Sequence, residues 1–278
     1  MNRGLATSGS GRPVVVVDLG GTWVRVVASG PGRRVFRAPT PGVAGLPAVL
    51  DRLWRRWQLS RRDVAALGVA SRGIWTAGER RALARRLRRF APRVVVISDV
   101  EAAYLGALGA TAGVLLLAGT GSIALGRDRR GRFSRAGGLG PLLGDDGSAF
   151  SIGRAWLRGP AVPWPRARRL ATAADAVARV AALAPGVVRR AHAGDPTAGR
   201  VVREAQEALA ALVIRVARAL RLRAPITVSW AGGLLANAPF RAGVWRGLRR
   251  RGLRVRAVRP RAAAATPSAW RELLLPRA

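Results

Sequence analysis

One local pattern occurs twice in this chain and constrains its fold more than any other feature. Each copy contains an apolar strand, a polar turn rich in glycine and threonine, a returning strand, a basic turn and a third strand. The first copy starts at Val14 and the second at Val114, about a hundred residues later. A repeat of this period indicates two duplicated domains, because the units of solenoid proteins are much shorter. Two such domains facing each other would bring both turns to one cleft.

In the first copy, four consecutive valines predict a fully buried strand that leads into Asp18. The turn at 20–22 follows, where two glycines let the main chain approach phosphate oxygens and Thr22 adds a hydroxyl. Asp18 beside this turn could hold a magnesium ion, which takes one or two carboxylates and keeps several waters. A hairpin in which these residues serve turn geometry alone is the alternative.

Apolar stretches with the spacing of helices alternate with short stretches typical of buried strands. This alternation predicts an α/β fold with a mostly parallel sheet and helices on its faces. The segments that we assign in the first half are helices 43–59, 78–90 and 100–110 and strands 63–70 and 93–97. In the second half, we assign helices to 149–157, 166–184, 198–222, 239–250 and a closing 262–275, and we also expect the segment between 184 and 198 to be helical. The strands of this half are 226–231 and 253–258.

The missing residue types exclude several classes of site. All 49 basic residues are arginine, so the chain lacks the lysine of a P-loop, of a protein kinase's third strand and of a pyridoxal Schiff base. It has no cysteine, which excludes disulfides, thiolate metal sites and cysteine-held iron–sulfur clusters. The single histidine, His192, is assigned to a solvent-exposed loop, and no nucleophile-elbow sequence supports a serine triad through it.

The net charge of +35 would attract nucleic acid or an anionic membrane. The arginines are nevertheless scattered through every segment, without a single stripe interleaved with aromatic residues, so we do not expect a nucleic-acid partner. No apolar run is long enough to span a bilayer, and the first dozen residues are polar. We therefore expect a soluble, cytoplasmic protein with no membrane partner.

A glycine-rich loop at 137–148 has the composition of a binding loop, with two adjacent acids at Asp145 and Asp146. Its glycine spacing does not match a dinucleotide fingerprint, and its acids do not have the spacing of a calcium loop.

Five motifs, taken in order, resemble the BadF/BadG/BcrA/BcrD ATPase family, which includes N-acetylglucosamine kinases and belongs to the sugar-kinase, Hsp70 and actin superfamily. They are the first phosphate motif at 18–22, the connecting motif at 98–99, the second phosphate motif at 119–122, the loop at 137–148 with 152–154, and the adenosine motif at 229–233. The resemblance covers nearly the whole chain. It implies two duplicated actin-like, ribonuclease H-like domains with a cleft between them, at residues 1–110 and 111–278. The resemblance also allows the last helix to pack back on the first domain.

The same resemblance implies ATP and Mg²⁺ as cofactors. Asp99 would be the base that takes the proton from a sugar hydroxyl, and Asp18 would hold the metal. The residues implied to bind the nucleotide are Gly20, Gly21, Thr22, Gly119, Thr120, Gly121, Gly232 and Gly233. Those implied to bind the sugar are Ser122, Ile123, Gly138, Leu139, Gly140 and Asp145. The alternative for Asp99 is that it only caps the helix that follows it.

The resulting prediction is an ATP-dependent kinase of an amino sugar, N-acetylglucosamine or glucosamine. Its expected partner is this small-molecule substrate, and a homodimer is allowed for. The loop at 37–41 lacks an asparagine with which family members contact the sugar, so the resemblance does not fix the identity of the sugar. The alternative is an ATPase or nucleotide-binding regulator that acts on a protein or nucleic-acid partner. Relatives that activate a reductase hold an iron–sulfur cluster with cysteines, which this chain does not have.

Overall fold

The structure is a computed structural model that describes residues 11–30, 32–262, 270 and 274. The chain divides into two compact units, the first made of residues 1–109 and 261–278 and the second of residues 110–260. Each unit contains one five-stranded mixed sheet with helices, so the predicted α/β fold with two duplicated units is confirmed. In the described residues, no helix is both long enough and apolar enough to span a membrane.

The first unit has the strand order β3-β2-β1-β4-β5, in which β1 pairs antiparallel with β2 and parallel with β4. Its elements are β1 (Val14–Leu19), β2 (Trp23–Ser29), β3 (Arg34–Pro39), α1 (Gly42–Trp57), β4 (Ala66–Ser71), α2 (Ala77–Leu87), β5 (Val94–Ser98) and α3 (Asp99–Leu108). Successive side chains of a strand point to opposite faces. Val15 and Val17 accordingly join one apolar cluster and Val14 and Val16 another, so β1 is buried on both faces.

The second face of this sheet is covered in part by residues near the end of the chain. Trp270 and Leu274 are fully buried in the same cluster as Val14 and Val16. A side chain at Gly68 on β4 would place its Cβ 2.6 Å from the Trp270 ring, which explains the glycine inside the strand. The predicted closing helix 262–275 otherwise lies outside the described residues.

The second unit repeats this arrangement with the strand order β10-β9-β6-β7-β8. Its elements are β6 (Gly113–Ala118), β7 (Ser122–Arg127), β8 (Phe133–Gly137), α4 (Gly140–Leu143), α5 (Ala149–Arg158), α6 (Trp164–Ala171), α7 (Ala176–Ala181), α8 (Ala184–His192), α9 (Pro196–Ala219), β9 (Ile226–Ala231), α10 (Gly233–Ala236), α11 (Ala238–Arg250) and β10 (Val255–Ala257). The apolar face of α9, which is 24 residues long, runs through the core of the unit.

Three predictions about the elements need correction. His192 is exposed, as predicted, but it lies in the last turn of α8, so its assignment to a loop was wrong. The stretch 166–222 is divided into four helices, and α9 starts after Asp195, which caps it through the N–H groups of Thr197 and Ala198. The strand predicted at 63–70 begins only at Ala66, because the Asp63 carboxylate accepts the Ser60 N–H at 2.6 Å and closes a turn.

Candidate active site

In the first unit, the candidate residues lie at the carboxyl ends of three neighbouring parallel strands. Leu19 at the end of β1 pairs with Ser71 on β4, and Ser71 pairs with Ser98 on β5. The register therefore brings Asp18, the turn at 20–22 and Asp99 to one edge of the sheet. In open α/β sheets this edge is where ligands bind.

The turn at 20–22 leaves its central amide groups available to an anion. Gly20 donates its N–H to the Trp23 carbonyl at 3.0 Å, and the Thr22 carbonyl accepts the Thr40 N–H at 2.9 Å. Among the described residues, the N–H groups of Gly21 and Thr22 have no acceptor, and both residues are exposed. Adjacent free N–H groups in a tight turn form the kind of concavity that binds phosphate.

Asp18 and Asp99 are both half-buried at this edge, and the negative charge of Asp99 acts on Asp18. Burial raises the pKa of the Asp18 carboxyl, the negative charge of Asp99 raises it further, and the positive charge of Arg25 lowers it. Burial also raises the pKa of Asp99, against the opposing effects of the Val100 N–H and the positive charge of Arg72. A divalent cation would relieve the repulsion between the two carboxylates.

A magnesium ion fits this pair of residues better than a metal that needs many protein ligands. The described residues contain no group of three or more histidine, cysteine, aspartate or glutamate side chains that could hold a metal. Magnesium is commonly bound through one or two carboxylates and completes its shell with water and substrate phosphates. Asp18 could serve as such a carboxylate.

Asp99 does not cap the helix that follows it, so the alternative weighed for this residue was wrong. The N-cap of α3 is Ser98, whose hydroxyl accepts the Glu101 N–H at 3.2 Å while a Glu101 carboxylate oxygen accepts the Ser98 N–H at 2.8 Å. This capping box satisfies the helix terminus without Asp99. Asp99 occupies the first helical position instead, and its Oδ1 accepts only the N–H of Val100 among the described hydrogen bonds.

In the second unit, the turn at 119–121 has the same open amide groups. The Gly119 and Thr120 carbonyls accept the N–H groups of Ala149 and Phe150 at the start of α5, at 2.8 and 3.2 Å. The N–H groups of Thr120 and Gly121 have no acceptor in the described part of the chain. The carbonyl groups of this turn are therefore used inside the protein, while the N–H groups of Thr120 and Gly121 are available to a ligand.

Four of the six residues implied to bind sugar meet at the start of β7. Asp145 accepts the Ser122 N–H at 3.0 Å, and Ser122 donates its hydroxyl to the Asp146 carbonyl at 2.7 Å. Gly138 donates its N–H to the Ser122 carbonyl at 2.9 Å and lies against the Ile123 side chain. The hydroxyl of Ser122 is therefore occupied inside the protein.

The other two, Leu139 and Gly140, continue the same loop at the start of α4, where Leu139 is 60% exposed. Asp145 has a φ of 61°, a left-handed conformation that aspartate tolerates better than most residues. The loop at 137–148 is thus anchored at Ser122 and exposes its apolar middle.

Gly232 lies directly beside the end of β6. It has a φ of 96°, and a Cβ on it would stand 2.3 Å from the Ala118 carbonyl oxygen. Gly233 follows at the first position of α10, where a Cβ would meet no atom within 4 Å. The segment implied to bind adenosine therefore adjoins the turn at 119–121, and its tight glycine leaves main chain exposed there. This arrangement fits a nucleotide.

Sequence analysis missed Arg72, which follows β4 at the same edge as Asp18 and Asp99. The signal that could have identified it is its position immediately after a buried strand that is parallel to β1. Sequence analysis also missed the capping box of Ser98 and Glu101, although the Ser-x-x-Glu spacing predicts one.

Comparisons with known proteins give short matches to two kinases. The chain is 41% identical over 61 residues to the N-acetylmuramic acid/N-acetylglucosamine kinase of Clostridium acetobutylicum, over 22% of this chain and 20% of that protein. It is 51% identical over 53 residues to the N-acetyl-D-glucosamine kinase of Dictyostelium discoideum, over 19% of this chain and 17% of that protein. The matched part spans about a fifth of the length of these curated relatives.

Solved structures match over almost the entire chain. A putative N-acetylglucosamine kinase from Chromobacterium violaceum superposes with a TM-score of 0.71 at 25% identity, covering 96% of this chain and all of that one. A ROK family glucokinase from Streptomyces griseus, solved with glucose and AMPPNP, gives a TM-score of 0.53 at 18% identity over 92% of this chain and 96% of that one, and shows a shared fold alone. The model of the BadF/BadG/BcrA/BcrD ATPase family matches residues 9–267, and the chain therefore belongs to that family, as its motifs predicted.

Proposed function

We propose that this chain is an ATP-dependent kinase that transfers a phosphoryl group to a hydroxyl of an amino sugar, with N-acetylglucosamine or glucosamine as the expected acceptor. The observation that carries the proposal is the position of Asp99. It is a half-buried carboxylate, freed from helix capping by Ser98, at the sheet edge that also carries Asp18 and the turn at 20–22. The kinases among the relatives support the sugar class.

Asp99 would act as general base. A hydroxyl becomes a better nucleophile as its proton is taken by a carboxylate within hydrogen-bond reach. Burial raises the pKa of Asp99, which brings its proton affinity closer to that required at neutral pH. Its half-exposed position would let it release the proton to solvent after the transfer.

The proposed binding roles are divided between the two units. In the first, the amides of Gly21 and Thr22 would hold phosphate oxygens, and Asp18 would hold Mg²⁺, which supplies charge neutralisation when bound. In the second, the amides of Thr120 and Gly121 would hold phosphate oxygens, with Gly232 and Gly233 along the adenosine. The remaining roles, with Gly20 and Gly119 shaping the two turns and the loop at 137–148 with Ser122, Ile123 and Asp145 holding the sugar, stay predictions, as do a location in the cytoplasm and a homodimer.

The test is Mg²⁺-dependent release of ADP from ATP in the presence of each of five sugars: N-acetylglucosamine, glucosamine, N-acetylmannosamine, N-acetylmuramic acid and glucose. We expect one of the amino sugars to stimulate release, which would identify both the activity and the acceptor. Release that is the same with every sugar and without any would contradict a kinase and favour the ATPase or regulator. A DNA-binding assay over a range of salt would then test for a nucleic-acid partner, because phosphate contacts make affinity fall steeply with salt.

A further inference from the structure

Arg72 lies against the turn at 20–22. Its main-chain N–H donates to the Leu19 carbonyl at 3.2 Å, so the chain after β4 stays beside the end of β1. Its Nη1 lies 2.8 Å from the point where a Cβ on Gly21 would stand. The guanidinium therefore covers the glycine of the turn whose amides are free.

The Arg72 guanidinium is available to a ligand. The residue is exposed, and no carboxylate lies within 4.0 Å of its nitrogens among the residues that the structure describes. Its positive charge acts on Asp99, at the end of the adjacent strand β5. Arg72 thus lies near both the open turn and the carboxylate proposed as base.

A positive charge beside the turn at 20–22 could stabilise a phosphoryl group during its transfer. In phosphoryl transfer, negative charge is spread over the three equatorial oxygens of the group in flight, and enzymes neutralise it with metal ions and with lysine or arginine. This chain has no lysine, so the side-chain cation must be an arginine. Arg25 and Arg37 also line the pocket beside Asp18 and Thr22. Arg25 lies directly across the β1–β2 ladder from Asp18, and the Arg37 guanidinium stacks 4.3 Å from the centre of the Trp23 ring.

We propose that Arg72 binds the terminal phosphoryl group of the nucleotide through its guanidinium and stabilises it during transfer to the sugar. No covalent bond forms to Arg72: the bond between the γ-phosphorus and the β-phosphate oxygen of ATP breaks, ADP leaves, the phosphorus bonds to the sugar oxygen, and Asp99 takes the hydroxyl proton. The inference rests on the proposed kinase function, because it assigns Arg72 to the phosphoryl group that Asp99 would make the sugar attack.

The first test measures binding without turnover. Calorimetric titrations with ADP and with the non-hydrolysable analogue AMPPNP, in the absence of sugar, compare the unaltered chain with Arg72→Gln. We expect the variant to lose about 10- to 100-fold in affinity for AMPPNP, the usual effect of losing a hydrogen bond between charged groups, and less than about 2-fold for ADP. Arg56→Gln, on the exposed surface of α1, removes the same charge elsewhere and should change neither.

The second test measures turnover. Arg72→Ala should lower kcat without raising the KM for the sugar, and added guanidinium ion should restore part of kcat, which a purely structural effect would not allow. Gly21→Ala should reproduce the loss of AMPPNP affinity, because its methyl group would stand only 2.8 Å from Nη1 and push the guanidinium away from the turn.

Equal losses for ADP and AMPPNP, a rise in sugar KM alone, or unchanged binding in Arg72→Gln would each overturn the assignment. The proposed function fails in a different way, through AMPPNP binding that depends on Arg72 but no release of ADP stimulated by any sugar. A chain that binds neither nucleotide would overturn both.

Discussion

The two copies of the strand–turn–strand pattern have the same main-chain arrangement and different surroundings. In each copy, carbonyls of the turn or of the residue before it are occupied, by the N–H groups of Arg72 and Thr40 in the first and of Ala149 and Phe150 in the second. In each copy, two central N–H groups have no acceptor among the described residues. The copies are therefore equivalent as anion-binding turns.

The side chains around the two turns differ. A Cβ on Gly121 would stand 2.8 Å from a carboxylate oxygen of Asp145, which is buried and held by the Ser122 N–H. A Cβ on Gly21 would instead meet the far end of the flexible, exposed Arg72 side chain. The second turn is braced by the anchored Asp145 carboxylate, whereas the first lies beside the exposed Arg72 side chain and the carboxylates of Asp18 and Asp99. We therefore expect the first turn to take part in phosphoryl transfer and the second to serve as a rigid binding site for the nucleotide.

The largest effect should come from removing the proposed base in the first unit. Asp99→Asn is expected to lower sugar-dependent release of ADP by about 10²- to 10⁴-fold, the usual contribution of a general base. AMPPNP affinity should stay within a few-fold, since Ser98 and Glu101 still cap α3. Asp51→Asn, at a half-buried position on α1 where the carboxylate pairs with Arg89, is the control. Full activity in Asp99→Asn would show that Asp99 is not the base.

A matched pair of glycine substitutions tests the difference in rigidity directly. Gly121→Ala should lower the free energy of unfolding by about 1–3 kcal/mol, because the methyl group displaces the anchored Asp145 carboxylate. Gly21→Ala should change it by less than about 0.5 kcal/mol, because the Arg72 side chain can move away.

Gly119→Ala, with no atom within 4 Å of its Cβ, is the control in the braced turn. Urea denaturation of the three variants makes the measurement. Equal losses for Gly21→Ala and Gly121→Ala would remove the distinction between the two turns.

The smallest effect is a change in stability with pH at the first turn. Because burial and the charge of Asp99 raise the pKa of Asp18 in the folded state, the folded chain binds more protons than the unfolded chain between the ordinary aspartate value and the raised one. Stability therefore falls as pH rises through that interval. Asp18→Asn should raise the Tm at pH 7, with the gain disappearing below about pH 3.9, where aspartates are protonated.

Asp63→Asn gives a control of opposite sign in the same unit. Hydrogen bonds from Ser60 lower the pKa of Asp63, so its charged form stabilises the folded state. That contribution is present above the ordinary aspartate pKa and is lost as pH falls through the lowered value. Its substitution should therefore lower the Tm at pH 7. Scanning calorimetry over a range of pH measures the Tm of both variants. A lower Tm for Asp18→Asn at pH 7 would contradict a destabilising effect of the buried Asp18 charge.

The sequence by itself determined the fold class and the family. The four consecutive valines of β1 specify an apolar strand with side chains to bury on both faces, and the polar turn and the return of the chain are local. The repeat at Val114 then predicted a second unit of the same kind. These features could be predicted because the apolar pattern of a strand and the formation of a turn depend on residues next to one another in the chain.

Only the tertiary structure decided what surrounds each turn. Arg72 meets Gly21, and Asp145 meets Gly121, across 51 and 24 residues of chain respectively. Strand order and register create these contacts, and neither can be read from local spacing. The same reason explains why the exposed His192 lies in a helix rather than a loop, since α8 is held by its packing on α9 in the core of the unit. Local sequence specifies elements, while long-range packing chooses which side chains meet at their ends.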